Sequence, residues 1–176
     1  VRIWLIALIV KTALAVFLPL SNDEAYYWVW GHHPQWSYFD HPSMVSWLFW
    51  LGRAFENFGN GARLPGVWLG HVTLLIWARI LKPFLDKEEI AGWLSLILLS
   101  PFFGIGSLVI TPDVPLMFFW SLSILAFLRL LESGRPAQYL GLGVTLGLSF
   151  CSKYMTVLFV PIALAWLLWS GSWRRV

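Results

Sequence analysis

Residues 114–131 read VPLMFFWSLSILAFLRLL, an apolar run whose one charged residue, Arg129, stands near its end. A helix crosses a bilayer hydrocarbon core of roughly 30 Å with about 20 such residues. Five further apolar runs bounded by charge, Pro or Gly have the same character, at residues 3–20, 64–81, 90–109, 137–151 and 155–169. The sequence therefore predicts an all-α fold, a polytopic membrane helix bundle with about six transmembrane helices.

The composition excludes several classes of protein. Of the 176 residues, 59% are hydrophobic and only 12% are charged, and a soluble domain of this length cannot bury that much apolar surface. The net charge of +3 comes from 12 basic and 9 acidic residues, which is too little charge for the basic face of a nucleic-acid-binding domain. The single cysteine, Cys151, excludes an internal disulfide framework.

The basic residues predict the orientation in the membrane. With the N-terminus on the cytoplasmic side, that side holds Arg2, Arg79, Lys82, Lys87, Arg129, Arg135, Arg174 and Arg175, and the other side holds Arg53, Arg63 and Lys153. This distribution satisfies the positive-inside rule and makes both chain ends cytoplasmic. Residues 21–63 then form a long loop on the outer face, the outer loop, in which residues 42–58 are predicted to form an amphipathic helix in the membrane interface. Lys11 falls inside the first run, either as a functional charge or as a side chain that snorkels to the interface.

Polar side chains from separate parts of the chain are predicted to meet at the outer face. They belong to the outer loop, to the start of the fourth span and to the turn between the fifth and sixth, and they are Asp23, Glu24, Asp40, His41, Asp113, Lys153 and Tyr154. Acids beside basic groups in a crevice of low dielectric constant have the tunable pKa values that acid–base catalysis needs. Two of the acids also have a simpler interpretation, because Asp23 could cap a helix beginning at Glu24 and Asp113 could cap the fourth span.

The same acids bear on metal binding. Asp23 and Asp113 offer oxygen ligands to a hard divalent cation such as Mg, Mn or Ca. A histidine site in the outer loop is the weaker alternative, because the adjacent residues His32 and His33 do not match the i, i+4 spacing of a helical zinc site.

Five short motifs in order carry a resemblance to a known family. They are NDEAYYW at residues 22–28, YFDHP at 38–42, RLP at 63–65, TPD at 111–113 and SKY at 152–154. Together they resemble the N-terminal half of polyprenyl-phosphate-dependent glycosyltransferases of the C-type fold. The likeness is greatest to the bacterial branch of the protein O-mannosyltransferase family, which includes the aminoarabinose transferases of lipid A. On this resemblance, residues 1–176 form one transmembrane domain, the N-terminal part of a longer enzyme.

The resemblance implies a membrane enzyme that moves a sugar from a polyprenyl-phosphate carrier to a glycan, lipid or protein acceptor. Its active face would be the periplasmic or extracellular face of a bacterial inner membrane. By position, Asp23 matches the family's loop aspartate, a base or metal ligand, Glu24 matches its acidic neighbour, and Asp113 matches a second acidic position. Lys153 matches a basic position after the fifth span. His41 stands where several relatives carry Lys, so the charge at that position differs here.

The chemistry of sugar transfer agrees with these assignments. Displacing a lipid phosphate from an anomeric carbon needs a carboxylate near the acceptor hydroxyl and a cation near the leaving phosphate, places that Asp23 and Lys153 could fill. Tyr26, Tyr27 and Trp28 would offer flat faces to the sugar or to the first isoprene units of the carrier. Anchoring in the interface with membrane lipids is the commoner explanation of such aromatic residues.

Two other functions compete with the transferase. Charges inside or at the edge of the membrane, such as Lys11, Asp113 and Lys153, also mark ion paths, so a transporter or channel is the first alternative. A non-catalytic membrane protein that binds lipid-linked sugars is the second. A transporter is expected to place polar residues near mid-membrane in broken helices, whereas the acids of this sequence gather at the outer edge beside a long aromatic loop.

Overall fold

The structure is a computed structural model that describes residues 2–172, apart from the side chains at positions 102 and 105. The helices of this part are α1 (Arg2–Phe17), α2 (Asn22–His32), α3 (Met44–Gly52), α4 (Leu64–Leu81), α5 (Lys87–Leu99), α6 (Asp113–Ser133), α7 (Pro136–Phe150) and α8 (Phe159–Ser170). Residues 2–172 contain no β-strand and one isolated antiparallel bridge, between Ser37 and Pro42. The predicted all-α fold, a bundle of apolar helices, is therefore confirmed.

Short helical turns complete the connections. Two 3-10 turns, Arg53–Phe55 and Gly61–Arg63, lead from α3 to α4. Between α5 and α6 the chain forms a π-helical turn, Pro101–Ile105, followed by a 3-10 turn, Gly106–Leu108. A last 3-10 turn, Tyr154–Leu158, precedes α8.

Fewer helices than predicted are long enough to cross a membrane. Two stretches have the length and apolar composition, Gly61–Leu81 and Asp113–Ser133. A third crossing is reached only if α1 and α2 count together, and these helices meet at a bend of 83°. The prediction of six full spans is therefore wrong for residues 2–172, although each of the six apolar runs overlaps a helix. The predicted cytoplasmic C-terminus depends on Arg174 and Arg175, which lie outside the described residues.

Local sequence explains why the helices are shorter than the apolar runs. Helix α1 ends at Phe17, just before Pro19, whose ring supplies no N–H donor and restricts the backbone of the residue before it. The run at residues 90–109 is interrupted after Leu99, because Ser100 takes an extended conformation and Pro101 cannot continue an α-helical ladder. Apolar composition thus overestimates helix length wherever proline stands inside the run.

The outer loop folds as two helices in contact. Helix α3 is shorter than the predicted helix over residues 42–58, and it packs on α2 and on the turn before α4. At Gly31 an added Cβ would meet Phe49, and at Gly52 it would overlap the backbone of Ala62. These close approaches bring the backbones together, so the outer loop is a packed part of the fold.

One core joins the ends of several elements at one end of the bundle. It contains residues of α1, α2, α3, α4 and the segment before α6, and these are Ala15, Tyr27, Trp30, Val45, Phe49, Ala62, Leu64, Val67, Leu108 and Ile110. Because these elements share one core, the first residues of α2, α4 and α6 lie close together. Of the predicted site residues, Asp23, Glu24 and Asp113 occupy these positions.

Candidate functional site

Glu24 is the most deeply buried acid among the described residues, with 0% of its surface exposed. Its Oε2 atom accepts a hydrogen bond from the backbone N–H of Ser21 at 3.0 Å and another from Arg63 Nη2 at 3.0 Å. Its Oε1 atom accepts the backbone N–H of Ile110 at 3.0 Å. The carboxylate therefore ties the start of α2 to the start of α4 and to the segment that leads into α6.

Arg63 completes this buried pair. Only 2% of its side chain is exposed, and Nη2 also donates to the backbone carbonyl of Pro19 at 2.7 Å. A buried guanidinium needs a charged partner, because desolvating a lone charge costs several kcal/mol. Glu24 supplies that partner, and no role was predicted for the Arg63-Leu64-Pro65 motif. A signal was present, since Arg63 is one of only three basic residues predicted on the outer side.

The capping interpretations of Asp23 and Asp113 are not supported. The N-cap of α2 is Ser21, whose Oγ accepts the N–H of Glu24 at 3.3 Å in a capping box, so Asp23 lies inside the first turn. The N-cap of α6 is Pro112, and Asp113 is the first helical residue, with no side-chain capping bond. Both residues are exposed to solvent.

Asp113 forms an ion pair with Lys153, as the prediction of a shared site requires. Lys153 Nζ lies 2.8 Å from Asp113 Oδ1, with the side chains 30% and 57% exposed. The turn that carries Lys153 is fixed by its own N–H, which donates to the Ser149 carbonyl at 3.0 Å. It is also joined to the outer loop, because the N–H of Met44 donates to the Cys151 carbonyl at 2.9 Å.

Tyr27 is a common neighbour of three acids from two parts of the chain. Burial raises the pKa of its phenol above the ordinary value, and the negative charges of Asp23, Asp40 and Asp113 raise the pKa further, in that order. Helix α2 belongs to the outer loop, outside the apolar runs predicted to span the membrane, and it turns 83° away from α1. Asp23, Asp40 and Asp113 are named the acid cluster, because the charge of each acts on this one tyrosine.

Asp40 is held in this cluster by Tyr26. The Tyr26 hydroxyl donates to Asp40 Oδ2 at 2.8 Å, and this hydrogen bond raises the pKa of Tyr26. His41 stands beside the cluster, with its ring centroid 6.0 Å from that of Tyr27. The two substrate-binding candidates of the YFDHP motif thus both lie against α2, Asp40 at Tyr26 and His41 at Tyr27.

Tyr38 shapes the loop that carries Asp40 and His41, and no role was predicted for it. Its ring stacks on Trp30 at 4.1 Å with an interplanar angle of 3°. Its hydroxyl donates to the His33 carbonyl at 2.8 Å and lies 2.7 Å from Ser46 Oγ. This side chain therefore fixes the loop to both α2 and α3.

Two predicted binding residues, Trp28 and Tyr154, have surroundings in the described part of the chain that do not include the acid cluster. Trp28 Nε1 donates to Glu56 Oε1 at 2.7 Å, and His32 Nε2 lies 2.9 Å from the same oxygen. Tyr154 is 60% exposed at the start of its 3-10 turn. Trp28 thus belongs to a polar cluster on another side of α2.

A cavity of about 520 Å³ opens beside Asp113, between α4, α5 and α6. Its walls are mostly apolar and include Leu74, Trp77, Trp93 and Ile97. The polar side chains in its lining are those of Thr73, Ser107, Thr111 and Asp113. The acid of the exposed Lys153–Asp113 pair thus lines a space that suits an apolar chain.

The two acids predicted as metal ligands are Asp23 and Asp113. Lys153 Nζ already donates to Asp113 Oδ1. Among the described residues, no group of three or more His, Cys, Asp or Glu side chains is arranged to hold a metal ion. The divalent ion at Asp23 and Asp113 therefore stays a prediction, and no catalytic step is assigned to a metal.

Comparison with known proteins finds relatives among bacterial glycosyltransferases. The chain is 29% identical over 144 residues to the lipid A galacturonosyltransferase RgtD of Rhizobium johnstonii, covering 79% of this chain and 30% of the relative. It is 28% identical to the lipopolysaccharide core galacturonosyltransferase RgtA of the same organism, over 95% of this chain and 34% of the relative. It is 29% identical to the undecaprenyl phosphate-alpha-4-amino-4-deoxy-L-arabinose arabinosyl transferase of Pseudomonas aeruginosa, over 96% of this chain and 36% of the relative.

The chain thus spans about a third of the length of these curated relatives. No solved structure matches it significantly. The dolichyl-phosphate-mannose-protein mannosyltransferase family matches residues 40–176, which is most of the chain. The resemblance read from the five motifs is confirmed, and the chain belongs to the dolichyl-phosphate-mannose-protein mannosyltransferase family.

Proposed function

We propose that this chain carries the acidic site of an integral-membrane glycosyltransferase that moves a sugar from a polyprenyl-phosphate carrier to a glycan, lipid or protein acceptor. The observation that carries the proposal is the Lys153–Asp113 pair, 2.8 Å apart, because its Asp113 both lines an apolar cavity and belongs to the acid cluster. A lipid-phosphate sugar presents an apolar tail, an anionic phosphate and a polar sugar in that order. The cavity, Lys153 and the acid cluster offer matching chemistry in one place.

Asp23 is the acid best suited to act as the base. In the part of the chain that the structure describes, its carboxylate accepts no hydrogen bond, whereas Glu24 accepts one from Arg63 and Asp113 accepts one from Lys153. A free carboxylate can accept the proton of an acceptor hydroxyl as that oxygen attacks the anomeric carbon. Lys153 would then stabilise the negative charge that develops on the departing lipid phosphate.

The relatives support the class of donor and the choice among competing functions. One is named for an undecaprenyl-phosphate-linked sugar, and two are named as galacturonosyltransferases of lipid A and of the lipopolysaccharide core. These names favour the transferase over a transporter or a non-catalytic binding protein. Because the chain covers about a third of each relative, the activity proposed is that of the full-length protein.

The proposed location is the inner membrane of a bacterium, with the acid cluster on its outer face. On that face the acid cluster lies together with the three basic residues Arg53, Arg63 and Lys153, which is the side with fewer positive charges. A carrier lipid with its sugar on that face would reach the cavity from within the membrane.

The test is transfer by the full-length protein in vesicles, with a panel of polyprenyl-phosphate sugars as donors and consumption of the donor as the readout. Asp23→Asn keeps the size of the side chain and removes its charge, and we expect turnover to fall about 100-fold or more, since general base catalysis contributes roughly 10² to 10⁴. Lys153→Gln should lower turnover by on the order of 100-fold, as loss of a charge-stabilising donor does.

Matched controls lie side by side at the start of α5. Asp86→Asn preserves an N-cap and Lys87→Gln removes an exposed charge, and both residues are far in the fold from the acid cluster, so both variants should retain parental turnover. Turnover of Asp23→Asn within about threefold of the parent, at unchanged melting temperature, contradicts its role as base, whose loss should cost about 100-fold. No donor consumption by the parent with any member of the panel contradicts the transferase itself.

A further inference from the structure

Lys11 is a charged residue in the middle of apolar helix α1, and its ammonium group is directed into the protein. Only 6% of the residue is exposed. Nζ donates to the carbonyl of Phe103 at 2.7 Å and to Ser107 Oγ at 2.7 Å. A snorkelling lysine would extend its ammonium to the interface, so these contacts decide against that interpretation.

Both partners of Lys11 lie where the chain leaves α-helical geometry. Phe103 belongs to the π-helical turn Pro101–Ile105, and Ser107 belongs to the 3-10 turn that follows it. Such breaks free backbone carbonyls from the regular ladder, and in an apolar environment each freed carbonyl needs another donor. The Lys11 ammonium supplies one, and Ser107 Oγ supplies another, since it donates to the same Phe103 carbonyl at 2.8 Å.

The broken segment, residues 100–112, continues directly into the candidate site. Ile110 donates its N–H to Glu24, and its side chain fills the space where Gly66 lacks a Cβ. Asp113 follows three residues later as the first residue of α6. Phe103, Ser107 and Thr111 of this stretch also line the cavity, as Asp113 does.

We propose that Lys11 is a positioning residue that fixes the broken segment, and through it the carboxylate of Asp113 and one wall of the cavity. The Lys11 ammonium, carried by α1, holds the segment at Phe103, and Glu24 holds it near its other end at Ile110. Without the ammonium, the π-helical turn loses a donor for the Phe103 carbonyl, and the path of the chain between α5 and Asp113 is free to change. The consequence for turnover rests on the proposed function, whereas the consequence for the segment does not.

The first experiment needs no transferase activity. In the full-length protein with its other cysteines replaced by serine, Leu108→Cys places a thiol in the core at a residue that is 3% exposed, so its rate of labelling by a maleimide reports opening of the segment. Lys11→Met should raise that rate about tenfold, because local opening becomes easier when its fixing contacts are lost. Lys11→Arg keeps the charge and the donors and should stay close to the parental rate.

Thr12→Val is the matched control for the labelling experiment. Thr12 lies next to Lys11 in α1, and its Oγ1 accepts a hydrogen bond from Trp68 Nε1 at 3.1 Å, so the change removes a polar contact of α1 that does not involve the broken segment. The labelling rate should then remain at the parental value. An unchanged rate in Lys11→Met, or an equal rise in Thr12→Val, overturns the proposal. If Lys11→Met does not accumulate, Ser107→Ala weakens the same contact from the other side and decides between the same two outcomes.

The second experiment asks whether Lys11 acts through Asp113. In the donor-consumption assay, Lys11→Met should lower kcat about tenfold with little change in the donor KM, and Lys11→Arg should restore it, since a misplaced catalytic group costs rate more than binding. Combined with Asp113→Asn, Lys11→Met should cause no further loss, because residues that act as a unit are not additive. Losses that multiply in the double variant overturn the positioning role. A parent without transfer activity contradicts the proposed function, and the labelling result alone then decides the role of Lys11.

Discussion

At the scale of single residues, Asp23 and Glu24 are neighbours with opposite surroundings. Successive helical residues point about 100° apart, so Glu24 turns into the core while Asp23 faces solvent. The sequence could predict part of this, because Ser21 and Glu24 have the spacing of a capping box. It could not predict the partner of Glu24, since Arg63 is 39 residues away and only the packing of α4 on α2 brings it near. For this reason catalytic roles were predicted for both acids. The contacts of Glu24, however, are those of a residue that joins segments of the chain.

This difference predicts a large loss of stability from Glu24→Gln. The change keeps the size of the side chain but leaves Arg63 buried without a counter-charge, and breaking a buried pair costs about 3–5 kcal/mol. We expect the free energy of unfolding of the full-length protein, measured by denaturant titration in detergent, to fall by about 3 kcal/mol or more. Glu56→Gln is the control, because its pair with His32 is 31% exposed on each side and is worth at most about 1 kcal/mol. Similar small losses in both variants would show that the buried pair does not hold the segments together.

At the scale of elements, close backbone contacts decide how the outer loop packs. Aromatic and aliphatic residues in the sequence could predict helices in this loop, but not the distance between them. That distance depends on glycines facing another backbone, as Gly52 faces Ala62. The break after α5 is also only partly predictable from sequence. Pro101 predicts an end of the helix, but not the π-helical turn that Lys11 stabilises.

Two glycine substitutions separate close packing from helix propensity. Gly52→Ala places a Cβ against the backbone of Ala62, which cannot move aside as a side chain does. Overpacking of this kind costs about 1–3 kcal/mol, so the melting temperature of the full-length protein should fall. Gly92→Ala lies inside α5 with nothing within 4 Å of the new Cβ, and alanine favours a helix interior by about 1 kcal/mol over glycine. We expect this second variant to melt at or above the parental temperature, and a Gly52→Ala protein as stable as Gly92→Ala would contradict the close contact.

At the scale of the whole molecule, the contacts of Glu24 determine the relative direction of the two long helices. The carboxylate binds Arg63, directly before α4, and Ile110, just before α6. Both helices therefore begin at the same level and cross the membrane in the same direction. Arg79 near the end of α4 and Arg129 near the end of α6 then lie on the opposite side from the acid cluster. The sequence predicted this separation from its charges, although it predicted too many full spans because apolar composition alone does not reveal the breaks.

The orientation itself is tested by labelling two exposed positions at opposite ends of the bundle. Asn57→Cys lies in the outer loop between α3 and α4, and Ser133→Cys is the last residue of α6. Because cytoplasmic loops carry the excess of Lys and Arg, a membrane-impermeant maleimide applied to intact cells should label the thiol at position 57 and leave that at position 133 unlabelled. Ser133→Cys should react only after the membrane is permeabilised, and the cysteine-free parent should not react in either condition. Positions 57 and 133 are expected to lie on opposite sides of the membrane, because α4 and α6 both begin beside Glu24 and end on the far side. Labelling of both thiols in intact cells would contradict this arrangement, and labelling of position 133 alone would place the acid cluster on the cytoplasmic face and remove the proposed outer active site.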